Sequence, residues 1–281
     1  MGRSDGKPVK GIPAFDRLIP YIMDRRYDAT NYSKVDFDMT NLHIFLKKLR
    51  SEGSDVGIMD AVITSFALLL QKYPELNRFI ANKRIYQRNH VCVSFVILRR
   101  DEDGGAGETA VKIYIEPGDS LLSISKKIRE LIEKNDKPMS RNAMDAFVDS
   151  LMGIPLLPGF LVALIKWSDR HGLLPRKIID LSPFHTSMFI SNLASLHMNY
   201  CYHHLFEFGT TGLFITLGMP RRVSGRGNET KRVMTLGVSI DDRISLGVNW
   251  ARALFEFRKA LENPEMLLGE GDRALRAGLR F

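Results

Sequence analysis

Strand-like and helix-like patterns of apolar positions alternate along the whole chain. Tyr32–Met39 alternates as a strand does, and Thr40 then offers a helix N-cap ahead of Leu42, Phe45, Leu46 and Leu49. From Ser54 and Asp55 a longer helix is predicted, with Ile58, Met59, Val62, Ile63, Phe66, Leu69, Leu70 and Tyr73 at helical spacing and Pro74 as its stop. Val91–Leu98 and Ala110–Ile115 predict two strands joined by the acidic, Gly-rich turn Asp101–Gly107. Ser120 then caps a helix carrying Leu121, Leu122, Ile124, Ile128, Leu131 and Ile132. Three further strands are predicted at Ser187–Leu193, Gly212–Met219 and Val233–Ile240, the last two flanking a basic, Gly-containing turn from Arg221 to Arg232. An amphipathic helix, Val248–Leu261, ends near Asn263-Pro264. This alternation predicts an α/β protein. With no internal repeat or low-complexity linker, one domain is expected over residues 28–268, between an extension (1–27) and a tail (269–281).

At 281 residues the chain can bury a sizeable core, and 44% hydrophobic with 26% charged residues is the composition of an ordinary soluble globular protein. A formal charge of +8 suits an anionic partner: a polyphosphate cofactor, nucleic acid or an anionic membrane. Nucleic acid fits least, because no aromatic platform interleaves the basic residues of the Arg221–Arg232 turn. Cys92 and Cys201, both expected to be buried, make neither a disulfide framework nor a metal site. A reducing cytoplasm is the expected compartment, and Met1–Lys7 carries no apolar signal core. The apolar stretch Leu151–Ile165 is shorter than the ~18–20 residues of a membrane-spanning helix and is interrupted by Pro155, Pro158 and Gly159. Trp167, Arg170 and Pro175-Arg176-Lys177 give the 151–174 region a basic rim. An interface or core helix, a lid over an acyl group and a membrane-surface contact are the readings it admits.

The most informative segment is Asp241-Asp242-Arg243-Ile244-Ser245-Leu246-Gly247. Together with Val35-Asp36-Phe37-Asp38-Met39-Thr40, Lys72-Tyr73-Pro74-Glu75-Leu76-Asn77, Phe189-Ile190-Ser191-Asn192-Leu193 and Glu262-Asn263-Pro264-Glu265-Met266-Leu267-Leu268, it gives the chain a family resemblance. From about Asp28 to Leu268 the chain resembles the catalytic domain of the dihydrolipoamide acyltransferase component of 2-oxo acid dehydrogenase complexes, and its relative chloramphenicol acetyltransferase. The resemblance implies a mixed-sheet α/β fold, a homotrimer with active sites between subunits, and coenzyme A as acyl carrier. It also implies roles: Ser191 would donate to the oxyanion, and the position of Asp242 would hold the base. The lipoyl and partner-binding modules of full dehydrogenase acyltransferases have no counterpart before Asp28, so a core role in such a complex is not expected.

The heptad departs from the family pattern Asp-His-Arg-x-x-Asp-Gly at two places. Asp242 stands where the catalytic His belongs, and Leu246 where the supporting Asp or Asn belongs. Thioester acyl transfer needs a base for the attacking thiol or hydroxyl and a donor for the developing oxyanion. An ordinary Asp lies roughly 4.6 pKa units below a thiol against about 2 for His, so deprotonation is uphill by roughly 6 rather than about 3 kcal/mol. Burial would narrow that gap, and Arg243 facing the site would widen it. His185 shares strand parity with Ser191 but should lie ~20 Å away within one chain. His203-His204 reads as a packing pair in a loop and makes a poor metal site, so none is expected. Arg221, Arg222 and Arg226, with Lys231 and Arg232, are either a solvated hairpin or a contact for the phosphates of coenzyme A. The family's His-based mechanism is therefore expected to be absent. Two functions stay open: a divergent acyltransferase working through Asp242, and a trimeric scaffold or acyl-coenzyme A-binding pseudoenzyme.

Overall fold

The computed structural model describes residues 3–100, 106–135, 157–224 and 230–269. Arg226 and the part of the apolar stretch from Leu151 to residue 156 lie outside the described residues. A seven-stranded mixed sheet organises the chain. Its path is β2 (Thr30–Asp38), β10 (Thr230–Asp241), β8 (Leu213–Leu217), β7 (Met188–Asn192), β5 (Val91–Arg100) and β6 (Ala106–Ile115), with β9 (Arg221–Ser224) paired to β10. β7 runs parallel to β5 and to β8, and the other pairs are antiparallel.

The period-2 pattern of these strands divides the sheet into two chemically different faces. Val35, Phe37, Val93, Phe95, Ile113, Met188, Ile190, Ile215, Leu236 and Val238 point to one side and join the main core. That side is covered by α2 (Thr40–Ser51), α3 (Ile58–Lys72), α4 (Leu121–Asn135) and α7 (Gly247–Glu262). α3 packs between α4 and α7, and Ala61, Val62, Ile63 and Phe66 disappear into the core. α3 starts at Ile58, later than the Ser54/Asp55 signal, because Asp60 reaches back to the backbone N–H of Gly57 and closes the first turn there.

The opposite face carries Phe189, Ser191, Phe214, Thr216 and Gly237 and is crossed by the irregular segment around Cys201–Phe206. The crossing is close. Thr216 Oγ1 bonds both the N–H (3.3 Å) and the carbonyl (2.5 Å) of Cys201, and a Cβ on Gly237 would collide with the Cys201 carbonyl. Cys92 is buried as expected, whereas Cys201 is exposed: its backbone, not its thiol, is what the sheet holds.

A second, three-stranded sheet, β1 (Gly6–Pro8), β4 (Arg84–Arg88) and β3 (Arg78–Ala81), escaped the sequence reading. So did α1 (Ala14–Ile22). The stretch 1–27, expected as an extension, contributes from Arg3 onward: β1 pairs with β4, and Arg3 makes ion pairs with Asp5 and Asp169 at 2.8 Å each.

Candidate active site

The heptad begins at the end of β10 and turns into α7. Asp241 is buried and accepts from two arginines: Arg243 Nε and Nη2, both at 2.8 Å, and Arg26 Nε at 3.4 Å. The same arginines clamp distant backbone. Arg243 Nη1 donates to the carbonyls of Met23 (3.1 Å) and Asp24 (3.3 Å), and Arg26 donates to those of Phe206 and Gly209. This knot ties the end of β10 to residues 23–26 and 206–209, and so fixes where Asp242 projects.

Asp242 is half-buried, and its N–H donates to the Ala29 carbonyl at 2.9 Å. It borders a shallow groove of about 360 Å³ with Met23, Asp28, Ala29, Thr30, Asn31 and Tyr32. Its carboxyl has no hydrogen-bond partner among the described residues, and desolvation, then the charge of Asp241, hold its pKa above the ordinary carboxylate range. The concern that Arg243 would counteract this does not materialise, since its guanidinium is occupied by Asp241. Leu246, in the place of the supporting Asp or Asn, is 53% exposed in the single chain and caps α7 without a polar side chain.

Ser191 lies in β7 opposite Thr216, which lies opposite Gly237, which lies opposite Lys34. It is half-exposed rather than fully buried, on the face away from the main core. Five residues of β10 and two strand spacings separate this row from Asp242, roughly 20 Å within one chain. A single chain therefore does not bring the two candidate catalytic residues together.

The basic hairpin leaves the same row in the other direction. Arg221 is opposite Val233, four residues before Gly237, which places it about 13 Å along the strand. Arg221 Nη1 donates to Thr235 Oγ1 at 2.8 Å and its Nη2 lies 3.6 Å from Asp36, while Lys231 pairs with Asp38 at 3.7 Å. Arg222 faces solvent opposite Arg232 and has no ion-pair partner among the described residues. The ribbon is thus partly neutralised at its base and cationic along its edge.

The histidines considered as alternative bases make other contacts. His185 precedes β7 in a turn instead of extending the strand, and is fully buried: Nδ1 lies 2.8 Å from Ser182 Oγ and Nε2 lies 3.1 Å from Asp169 Oδ1. With Arg3 it anchors Asp169, the one buried residue of α5 (Leu157–Arg170). His203 stacks on Phe214 with ring centroids 4.0 Å apart, a packing role. Among the described residues no group of His, Cys, Asp and Glu could hold a metal ion, and no helix is long and apolar enough to cross a membrane.

The order of strands, the mixed sheet and its helical layer are the chloramphenicol acetyltransferase-like acyltransferase fold. A probable dihydrolipoamide acetyltransferase from Listeria monocytogenes is similar over 91% of this chain and 95% of its own, with a TM-score of 0.58 and 15% identity. The Azotobacter vinelandii dihydrolipoamide acetyltransferase, in which a Ser, a His and an Asn were investigated for their role in catalysis, is similar at TM-score 0.58 and 14% identity over 92% and 93%. A chloramphenicol acetyltransferase follows at 0.54, with 9% identity over 92% and 98%. No protein-family profile and no curated protein sequence matches the chain.

Proposed function

We propose that this chain is a divergent acyltransferase that assembles as a homotrimer, with Asp242 of one subunit facing Ser191 of the next. Acyl-coenzyme A is the proposed acyl donor, with a thiol or hydroxyl compound as acceptor. One observation carries the reading: Asp242 sits half-buried on an open groove, without a cation partner among the described residues and raised in pKa, while the adjacent arginines are held by Asp241. The Azotobacter enzyme adds a spacing: its His and Asn lie four residues apart, as Asp242 and Leu246 do here.

In this mechanism Asp242 accepts the proton of the acceptor thiol or hydroxyl as it attacks the thioester carbonyl. Ser191 Oγ–H donates to the oxyanion of the tetrahedral intermediate, whose collapse breaks the thioester C–S bond and releases coenzyme A as its thiol, carrying the proton that Asp242 took from the acceptor. Arg222 and its neighbours on the ribbon meet the phosphates of the donor, at a distance along the sheet that an extended arm can bridge to Ser191. Arg221 contributes less, because Asp36 and Thr235 already engage it.

Mixing separates an intersubunit site from an intrachain one. Ser191→Ala and Asp242→Asn proteins, each strongly impaired alone, should recover about a quarter of wild-type thiol release when unfolded together and refolded as random mixed trimers. No recovery from trimers that demonstrably mix would sink the shared site. If the wild type releases no thiol from any acyl-coenzyme A but still binds one, the second reading, a pseudoenzyme scaffold, takes its place. The exposed Leu246 in a polar residue's position favours that alternative.

α5 bears on the acceptor. It exposes Phe160, Val162, Leu164, Ile165 and Trp167, beside Leu173, Ile178 and the 84% exposed Leu181. The acids of this region are occupied, Asp169 by Arg3 and Asp180 by Arg176 and Tyr114, whereas Lys166, Arg170 and Lys177 have no ion-pair partner among the described residues. This basic, apolar surface suits contact with anionic lipid, in keeping with an acyl acceptor or donor delivered from a membrane. Sedimentation with anionic but not zwitterionic vesicles, reduced at least tenfold in Trp167→Ala/Lys166→Ala, is the expected result; equal binding to both vesicle types, or none at low salt, would remove the lipid contact.

A further inference from the structure

A small cavity of about 130 Å³ lies where the C-terminal end of α5 meets the β3–β4 turn and the residues of the arginine knot. It shares no lining residue with the groove of Asp242. Cations outnumber acids around it: Lys83, Lys166, Arg170, Arg26 and Arg243 line it. The acids that also line it are already engaged, Asp24 by Lys83 at 3.1 Å, Asp169 by Arg3 at 2.8 Å and Glu207 by the Arg26 N–H at 2.8 Å. Arg26 and Arg243 contribute charge rather than free donors, because every nitrogen of both guanidinium groups has a protein acceptor. Lys166 and Arg170 make no ion pair among the described residues. They stand one helical turn apart on α5, so an ammonium and a guanidinium can close on a single anion.

Lys83 is held at the cavity at a cost. β3 and β4 are joined by Asn82 and Lys83 alone, both left-handed, with φ of 46° and 60°. Hairpins of this kind favour Gly at the second position, where a Cβ is strained. Lys83 keeps that strain, and its ammonium lies between Asp24 and the ring of Tyr21, 5.2 Å from the centroid. Strain kept where Gly would avoid it points to a use for the side chain.

Exposed apolar side chains flank the cavity on both sides. α5 presents Trp167 beside Lys166. α1, whose last turn meets Lys83 through Tyr21, exposes Phe15, Leu18 and Ile22 and buries only Pro20. A cationic recess between two apolar helix surfaces can take a phosphate while acyl chains lie on the helices. We propose, resting on the lipid contact put forward above for α5, that this cavity binds the phosphate of an anionic lipid headgroup.

Phosphatidylcholine vesicles doped with phosphatidate, or with oleate to the same surface potential, separate a phosphate site from diffuse attraction. Wild type should bind the phosphatidate vesicles roughly tenfold more tightly or better. sn-Glycerol 3-phosphate at about 10 mM should release it, and sodium chloride of equal ionic strength should release less. Lys83→Gly and Arg170→Gln should each bring phosphatidate binding down to the oleate level. Lys83→Gly should do so with Tm unchanged or raised, because the turn loses its strain. Lys177→Ala, which removes an unpaired cation outside the cavity, should keep the preference for phosphatidate. Equal binding of wild type to both vesicles, a preference that survives Lys83→Gly, or its loss in Lys177→Ala would each overturn the headgroup site and leave the lipid contact of α5 standing. No binding to either vesicle at low salt would overturn both, and a Tm raised by glycerol 3-phosphate in that case would assign the cavity to a soluble phosphate instead.

Discussion

Asp242→Asn is expected to reduce acyl transfer at least ~100-fold, the usual scale for removing a general base, with little change in stability. Stability should hold because Asp242 makes no side-chain bond among the described residues and is only half-buried; Asn keeps its size and the backbone bond to Ala29. The pH dependence carries the sharper signature. Asp242 acts as a base only when ionised, so activity should fall as pH falls through its pKa. Desolvation first, and the neighbouring Asp241 charge second, place that limb above the ordinary carboxylate range. The limb should vanish from whatever activity Asp242→Asn retains. Measuring kcat/KM for thiol release across pH, with short- and long-chain acyl-coenzyme A and lipoamide-like thiols as acceptors, tests both points. A wild-type profile identical to that of Asp242→Asn would remove Asp242 from the mechanism. The converse substitution, Asp242→His with Leu246→Asp, returns both family side chains, and an intact pocket should respond with faster transfer. A folded, trimeric double variant showing no gain would count against the pocket.

The alternation of helix and strand was legible because the strands of the large sheet other than the exposed β9 bury at least one face in the core. β10 is an example: Met234, Leu236, Val238 and Ile240 alternate with Thr235, Gly237, Ser239 and Asp241. The small sheet was not legible. β1 is the tripeptide Gly6–Pro8, and β4 reads Arg-Ile-Tyr-Gln-Arg, whose two arginines look like solvated ends although Arg88 is buried over the Phe79 ring at 4.7 Å. Within the site, the identity of the heptad was readable but its electrostatics were not. Which carboxylate Arg243 engages depends on Arg26, 215 residues from Asp241 in sequence. The separation of Asp242 from Ser191 needed strand order, because only the pairing shows that β8 lies between β10 and β7 in the sheet. His185 shows the same limit: counting parity back from Ser191 assumed strand where the chain already turns, and a buried contact with Asp169 on α5 decides its role.

The largest effect on stability should come from the residue beside the proposed base. Asp241→Asn leaves Arg26 and Arg243, both nearly inaccessible, without a counter-charge, and removing one partner of a buried pair typically costs about 3–5 kcal/mol. For a chain of this length that corresponds to a fall in Tm of roughly 5–10 °C. The loss should be non-additive: Asp241→Asn combined with Arg243→Met should cost less than the sum of the two, because the second change removes a charge that the first left unpaired. Urea unfolding of the four proteins of this cycle gives the coupling directly, and strict additivity would mean that the knot does not act as a unit. Function should register the same substitution in a different direction. Asp241 raises the pKa of Asp242 by charge repulsion, so its neutralisation should move the acidic limb of kcat/KM to lower pH. A limb that stays in place, in a variant whose stability has fallen as expected, would show that desolvation alone tunes Asp242 and that its burial in the turn, rather than the charge of Asp241, sets the strength of the base.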